Sequence, residues 1–130
     1  MAARRIDWAT DTLNCGLSTS TYTPNRDTHV FYSDITNEVV GTGYTAKGVV
    51  LGTKSTSYNA GAHEARFFTG TAQWTTATFT FRYAFIFKDT GVAATSPLIG
   101  YIDFGGDETV TIGTVTITFD ATNGTMKIAA

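Results

Sequence analysis

The chain has 130 residues, a formal net charge of −2, 15% charged and 13% aromatic residues, and a single cysteine. That length fits one domain with its own core and leaves little room for a second. The charge excludes a non-specific nucleic-acid binder, which needs clustered Lys and Arg to displace counterions, and one cysteine excludes an internal disulfide and every multi-cysteine metal motif.

Threonine makes up about a fifth of the chain, and Thr with aromatic residues suits half-buried pleated surfaces, whereas a helical protein would be richer in Ala, Leu, Glu and Lys. Composition therefore predicts an all-β domain. No apolar run reaches the roughly 18 residues of a spanning helix, and the N-terminus has no signal-peptide apolar stretch, so no membrane partner is expected.

In chain order, residues 1–12 carry Arg4-Arg5, Ile6 and Trp8 without a clear period, which leaves an arm and a short helix both open. The β domain is expected over 13–130. Leu13, Cys15 and Leu17 alternate with Asn14, Gly16 and Ser18 as a strand does, and Cys15 reads as a small buried thiol. Pro24, Asn25 and Asp27 mark a loop. "VFYSDI" fits one helical turn or a short strand, and "GTGYTAKG" is a glycine-rich connection. "VVLGTKSTSYNAG" and "EARFFTGTAQW" read as two strands around a Gly-Ala-His bend.

The strongest strand signal is "TFTFRYAFIFKDTG" from Thr78 to Gly91. Period-two alternation puts Phe79, Phe81, Tyr83, Phe85 and Phe87 on one face, expected to be the inner one. Arg82 interrupts the other face, and "KDTGVAATS" supplies a loop. "PLIGYIDFGG" is the next strand, with Pro97 at the one position where no ladder donor is needed. In "ETVTIGTVTITF" the apolar positions change parity between Ile112 and Val115, so Gly113 is expected at a bulge. Asn123-Gly124 predicts a hairpin turn, with "TMKIAA" as a returning final strand. Seven or eight strands at this spacing predict a β-sandwich or jelly-roll-like barrel.

Chemistry finds little footing. His29 and His63 are the two histidines, no G-x-S-x-G elbow is present, and His63-Glu64 lacks the second histidine of a helical zinc motif. "GTGYTAKG" lacks the strand–loop–helix frame and the Lys-Thr ending of phosphate loops. Asp103, Asp107 and Glu108 cluster in "DFGGDE" without the spacing of a calcium loop, which leaves a metal role there open. No catalytic residue, cofactor or metal site is expected.

The segments "IDWATDTLNCGLSTSTYTPNRDTHVFYSDI", "GTGYTAKG" and "FRYAFIFKDTGVAATSPLIGYIDFG" together resemble a family of small structural proteins of tailed bacteriophages. The matching pattern is Asp7-Trp8 with Asp11-Thr12, Tyr22 and Pro24 ahead of His29, Phe31-Tyr32 with Asp34, Tyr83 with Lys88-Asp89 and Gly91, and Pro97-Leu98 with Tyr101 and Asp103. It spans about Asp7 to Gly105 and continues loosely into the C-terminal strands. The resemblance implies a virion component made in the host cytoplasm, a capsid decoration or cement protein whose partner is the major capsid protein. Head-fibre and tail-associated roles, with glycan or receptor binding, are the alternative. Three-fold capsid lattice positions make a homo-oligomer, above all a trimer, the natural assembly for such a protein. Arg4, Arg5 and Trp8 in the N-terminal segment, together with Arg82 and Lys88, are the expected partner-binding residues, since Trp and Arg are enriched at interface hot spots. For glycan stacking, Tyr58, Trp74 and Tyr101 are the available aromatic rings.

Overall fold

The computed structural model describes residues 10–25, 27–119 and 126–129. Arg4, Arg5 and Trp8, nearly all of the expected N-terminal arm, and the Asn123-Gly124 turn lie outside the described residues. Seven strands form in the described chain: β1 Leu13–Ser18, β2 Val49–Val50, β3 Ser55–Asn59, β4 Glu64–Phe68, β5 Ala72–Lys88, β6 Leu98–Ile117 and β7 Met126–Ala129. Two short 3-10 turns, Tyr32–Asp34 and Ala93–Thr95, complete the elements. The fold is all-β, and every strand pairing is antiparallel.

The strands make a four-stranded sheet in the order β2-β1-β5-β6 and a three-stranded sheet in the order β3-β4-β7. The sheets meet where the Gly70 amide donates to the Gly52 carbonyl, and Phe67 of β4 packs against the main core. Several expectations about the strands change: "VVLGTKSTSYNAG" is broken at 51–54 into β2 and β3, which belong to different sheets. "EARFFTGTAQW" is broken at 69–71, so Trp74 belongs to β5. The final strand pairs with β4 instead of folding back on β6.

The β5–β6 hairpin dominates the molecule, with strands of 17 and 20 residues. What reads as two strands, before and after "DFGGDE", is one continuous β6, and its pairing with β5 is irregular where the sequence bends it. One irregularity falls at Ala77↔Gly113, as the parity change in the sequence requires, with Thr76 and Ile112 both at positive φ.

A second irregularity, between Phe81 and Tyr83, has the larger consequence. There Phe81 pairs with Glu108 while Tyr83 pairs with Asp103, so β6 spends extra residues against two of β5. The core cluster containing Phe79 and Phe81 continues with Ala84 and Ile86, and with their β1 partners Leu17 and Cys15. Tyr83, Phe85 and Phe87 are therefore on the opposite side of the sheet. All five aromatics are buried, as expected, but they form two groups on two faces. The second group is covered by the 19–38 loop: Tyr22 meets Tyr83 edge-on at 5.8 Å, and Tyr32 stacks on Phe87 at 4.4 Å. Because both faces are covered here, all six residues of β1 are buried. Burial pushes the Cys15 thiol up to about 12, so it is not a thiolate at neutral pH.

The glycine-rich "GTGYTAKG" loop lies across this sheet. Its Tyr44 ring inserts between Trp74 at 6.1 Å and Phe79 at 5.8 Å. At its end, Gly48 has φ +71, and a Cβ there would sit 2.0 Å from the Cys15 carbonyl oxygen. Only glycine lets the chain pass that close to β1.

Candidate functional site

Two segments some 60 residues apart in sequence, around Val30–Asp34 and Asp89–Leu98, build one surface. The Tyr32 amide donates to the Ser96 carbonyl at 2.8 Å, the Leu98 amide to the Val30 carbonyl at 2.8 Å, and Phe31 bridges Pro97. Within the first segment, the Asp34 carboxylate accepts from the Val30 and Phe31 amides at 2.8 and 2.9 Å. Within the second, Asp89 accepts from the Gly91 amide at 2.8 Å, and the buried Ser96 hydroxyl donates to the Val92 carbonyl at 2.8 Å. "KDTG" is thus a self-capped turn, and these polar residues are where they are because loop backbone buried against a sheet must have its amides satisfied.

Between the segments lies a cleft of about 570 Å³, walled by Tyr22, Pro24, His29, Ile35, Leu98 and Tyr101 among others. It continues into a shallower depression at Pro24, Asn25, Asp27 and Tyr101. Tyr22 donates to or accepts from His29 Nδ1 at 2.8 Å, and the two rings stack at 5.5 Å. Burial, helped by the Asp34 charge, pushes the Tyr22 phenol up to about 12, so it remains a neutral hydroxyl. Tyr101 is 44% exposed at the cleft mouth and meets Tyr83 edge-on. Such a cleft offers aromatic faces and neutral hydrogen-bonding groups, with His29 stacked on Tyr22.

Of the expected contact residues, Arg82 borders this surface. Its guanidinium lies 5.2 Å from the Tyr83 ring centroid and pairs with Asp103 through Nε at 3.1 Å and Nη2 at 3.4 Å. Asp103 also accepts from the Gly105 amide, and both contacts hold its carboxyl below the ordinary range. Lys88 bonds Asp11 at 3.2 Å, six positions further along β5, or about 20 Å at strand spacing. The two cations do not form one patch. Among the described residues no group of three or more His, Cys, Asp or Glu is placed to hold a metal ion, the 103–108 carboxylates included. Trp74, offered by sequence as a stacking platform, is 3% exposed and belongs to the core.

Sequence reasoning missed Glu38. Its carboxylate accepts from the Tyr32 and Tyr44 hydroxyls, each at 2.5 Å, and from the Lys47 amide at 2.8 Å. Tyr44 in turn accepts from the Leu17 amide at 2.9 Å. Burial first, then the Glu38 charge, raises both phenols well above the ordinary value, so they stay donors. This hub ties the loop that walls the cleft to β1 and to the glycine-rich loop.

The Asp34 contact has a pH signature. Two backbone amides lower its pKa in the fold, so its contribution is fully present above the unfolded value near pH 4 and is lost as pH falls through the lower folded value. Asp34→Asn is expected to lose less stability between pH 6 and pH 3 than the unaltered protein, measured by urea midpoints at both pH values. Equal losses would contradict the role given to this carboxylate.

The chain matches no family model, no curated protein and no solved structure.

Proposed function

We propose that the protein is a non-enzymatic structural component of a tailed-bacteriophage virion, a capsid decoration protein that binds the major capsid protein and stabilises the head. The observation that carries this reading is the convergence of the resembling segments. Val30, Phe31 and Tyr32 bond to residues 96–98, and Tyr22, Pro24, His29, Leu98 and Tyr101 share one cleft, as expected if these segments form one contact surface. Three carboxylates of the resembling pattern, Asp34, Asp89 and Asp103, hold nearby backbone in place, which suits a binding surface presented by loops on a rigid sheet. On this reading the contact face is the cleft with Tyr101 at its mouth and Arg82 at its margin.

The test is to add purified protein to heads that lack it. Saturable co-sedimentation, at a copy number in the hundreds per head, and a higher temperature of head disruption are expected. Tyr101→Ala and Arg82→Ala should weaken binding while leaving the circular dichroism spectrum unchanged. Heads that neither bind the protein nor gain heat resistance would sink the proposal.

The exposed ring of Tyr101 beside Asn25 and His29 favours one second reading, a head-fibre or tail-associated protein whose cleft takes a glycan by stacking. A flat glycan array would remove it.

A further inference from the structure

β6 forms one edge of the four-stranded sheet, and its outer side pairs with no strand among the described residues. The other edge, β2, is only two residues long. Soluble proteins guard long edges with Lys, Pro or inward charges, because an unpaired ladder recruits further strands. The stretch from Thr109 to Ile117, "TVTIGTVTI", has no charge and no proline. In its middle Ile112 is 79% exposed and has φ +44, an unfavourable conformation for a β-branched residue. An uncharged edge with a protruding apolar side chain is built to be covered.

The pattern of this stretch says by what. Val110 and Val115 pack towards the core, while Thr109, Thr111, Thr114 and Thr116 are exposed. The phase reversal at Ile112-Gly113 makes the stretch self-complementary. In an antiparallel pair of two copies with the two-fold axis between Ile112 and Gly113, each residue faces the one whose number completes a sum of 225. Val110 then meets Val115 of the second copy on the core side. On the outer side Thr111 meets Thr114, and Thr109 meets Thr116, giving cross-strand threonine pairs of the kind already formed between Thr80 and Thr109 at 3.0 Å. In this register a strand without that reversal would present inward residues to outward ones. The register also keeps like charges apart: Glu108 faces Ile117, and the two Asp107 residues lie about 36 Å from each other at strand spacing.

We infer that two copies of this chain pair through β6 at Thr109–Thr116, joining their four-stranded sheets into one continuous eight-stranded sheet. Ile112 lies beside the axis, next to its symmetry mate, where its exposed side chain becomes buried. Such a two-fold contact uses up the edge that makes it and closes at two copies, so the assembly is a dimer and not the trimer that three-fold lattice positions suggest. This pairing stands apart from the virion role. Failure to bind heads would leave it intact, and a monomeric protein would leave head binding intact.

The test is a charge swap read by light scattering behind size exclusion. The unaltered protein is expected at twice the chain mass of 13.9 kDa. Thr111→Lys/Thr114→Lys sets like charges opposite each other twice and should shift the protein to the single-chain mass, weakening association about 100-fold or more. Thr111→Lys/Thr114→Glu places opposite charges in the same two pairs and should restore the dimer. Because these threonines are exposed, both variants should keep the native circular dichroism spectrum. Amide exchange in the unaltered protein gives a check free of substitutions: protection at 109–116 should rise with concentration. An unaltered protein that runs as a monomer or trimer overturns the inference, as does a double-lysine variant that stays dimeric. A natively folded Lys/Glu variant that stays monomeric overturns the register, and with it the pairing proposed.

Discussion

Phe85→Ala is expected to destabilise the protein by about 3–5 kcal/mol, the range for deleting a fully buried phenylalanine. The ring has no exposed surface, packs at 5.8 Å from Phe87 and at 5.9 Å from Tyr32, and its edge lies directly over Gly16 of β1. A Cβ built on Gly16 would stand 2.4 Å from Phe85 Cζ, so the two residues share one volume. That gives the prediction a second, more specific part. Gly16→Ala alone should be destabilising, because a tightly packed core does not accept an added methyl without shifting the ring. In the Phe85→Leu background the same substitution should cost distinctly less, since the shorter side chain vacates the contested space. Urea midpoints for the four proteins of this cycle measure the coupling, provided the slope with denaturant is unchanged. Additive effects would show that Phe85 and Gly16 do not compete, and a loss below about 1 kcal/mol for Phe85→Ala would show that the 19–38 loop does not close a real core. A domain of this size has only about 5–15 kcal/mol in total, so the variant should sit close to its unfolding transition under ordinary conditions.

The second aromatic group also shows where sequence periodicity reaches its limit. Alternation from Phe79 to Phe87 marks the strand and the burial of all five rings correctly. It cannot show that Phe81 and Tyr83 lie on opposite faces, because the irregularity between them appears only in the register against residues 103–108 of a different strand. Gly113 was legible because its parity change is written into its own strand. Trp74 was not, because its burial depends on Tyr44, which reaches it from a loop with no period at all. The same holds for the pairing of β7 with β4: a local Asn-Gly signal points to a hairpin with β6, whereas the strand pairs with one far away in sequence. For the cleft, the resembling segments announced their residues but not their contact, since the bonds between Val30, Phe31 or Tyr32 and residues 96–98 are all backbone bonds. Side-chain identity leaves no trace of them.

Glu38→Ala is expected to cost about 2–4 kcal/mol, which a scan for motifs would never single out. Hydrogen bonds to a charged group contribute about 1.5–3 kcal/mol each, and removing the acceptor leaves its donors with the cost of being unpaired. Here three donors converge on one carboxylate: the Tyr32 hydroxyl, the Tyr44 hydroxyl and the Lys47 amide. The lower figure allows for Glu38 being half-buried, so that water can take over part of the lost bonding. Tyr32→Phe and Tyr44→Phe remove one donor each and should cost about 1 kcal/mol apiece. Tyr44→Phe should be the worse of the two, because its oxygen also accepts from the Leu17 amide in the buried central strand. Combining Tyr32→Phe with Glu38→Ala should add almost nothing, since the bond is already gone, whereas Tyr44→Phe should still add the loss of the Leu17 amide's acceptor. The effect should also be local before it is global. Amide exchange at Lys47 and Leu17 should accelerate in Glu38→Ala under conditions where the β5–β6 amides remain protected. If Glu38→Ala unfolds at the same urea concentration as the unaltered protein, the hub does not hold the loop against the sheet. The cleft wall formed by Tyr22, His29 and Ile35 would then need another support.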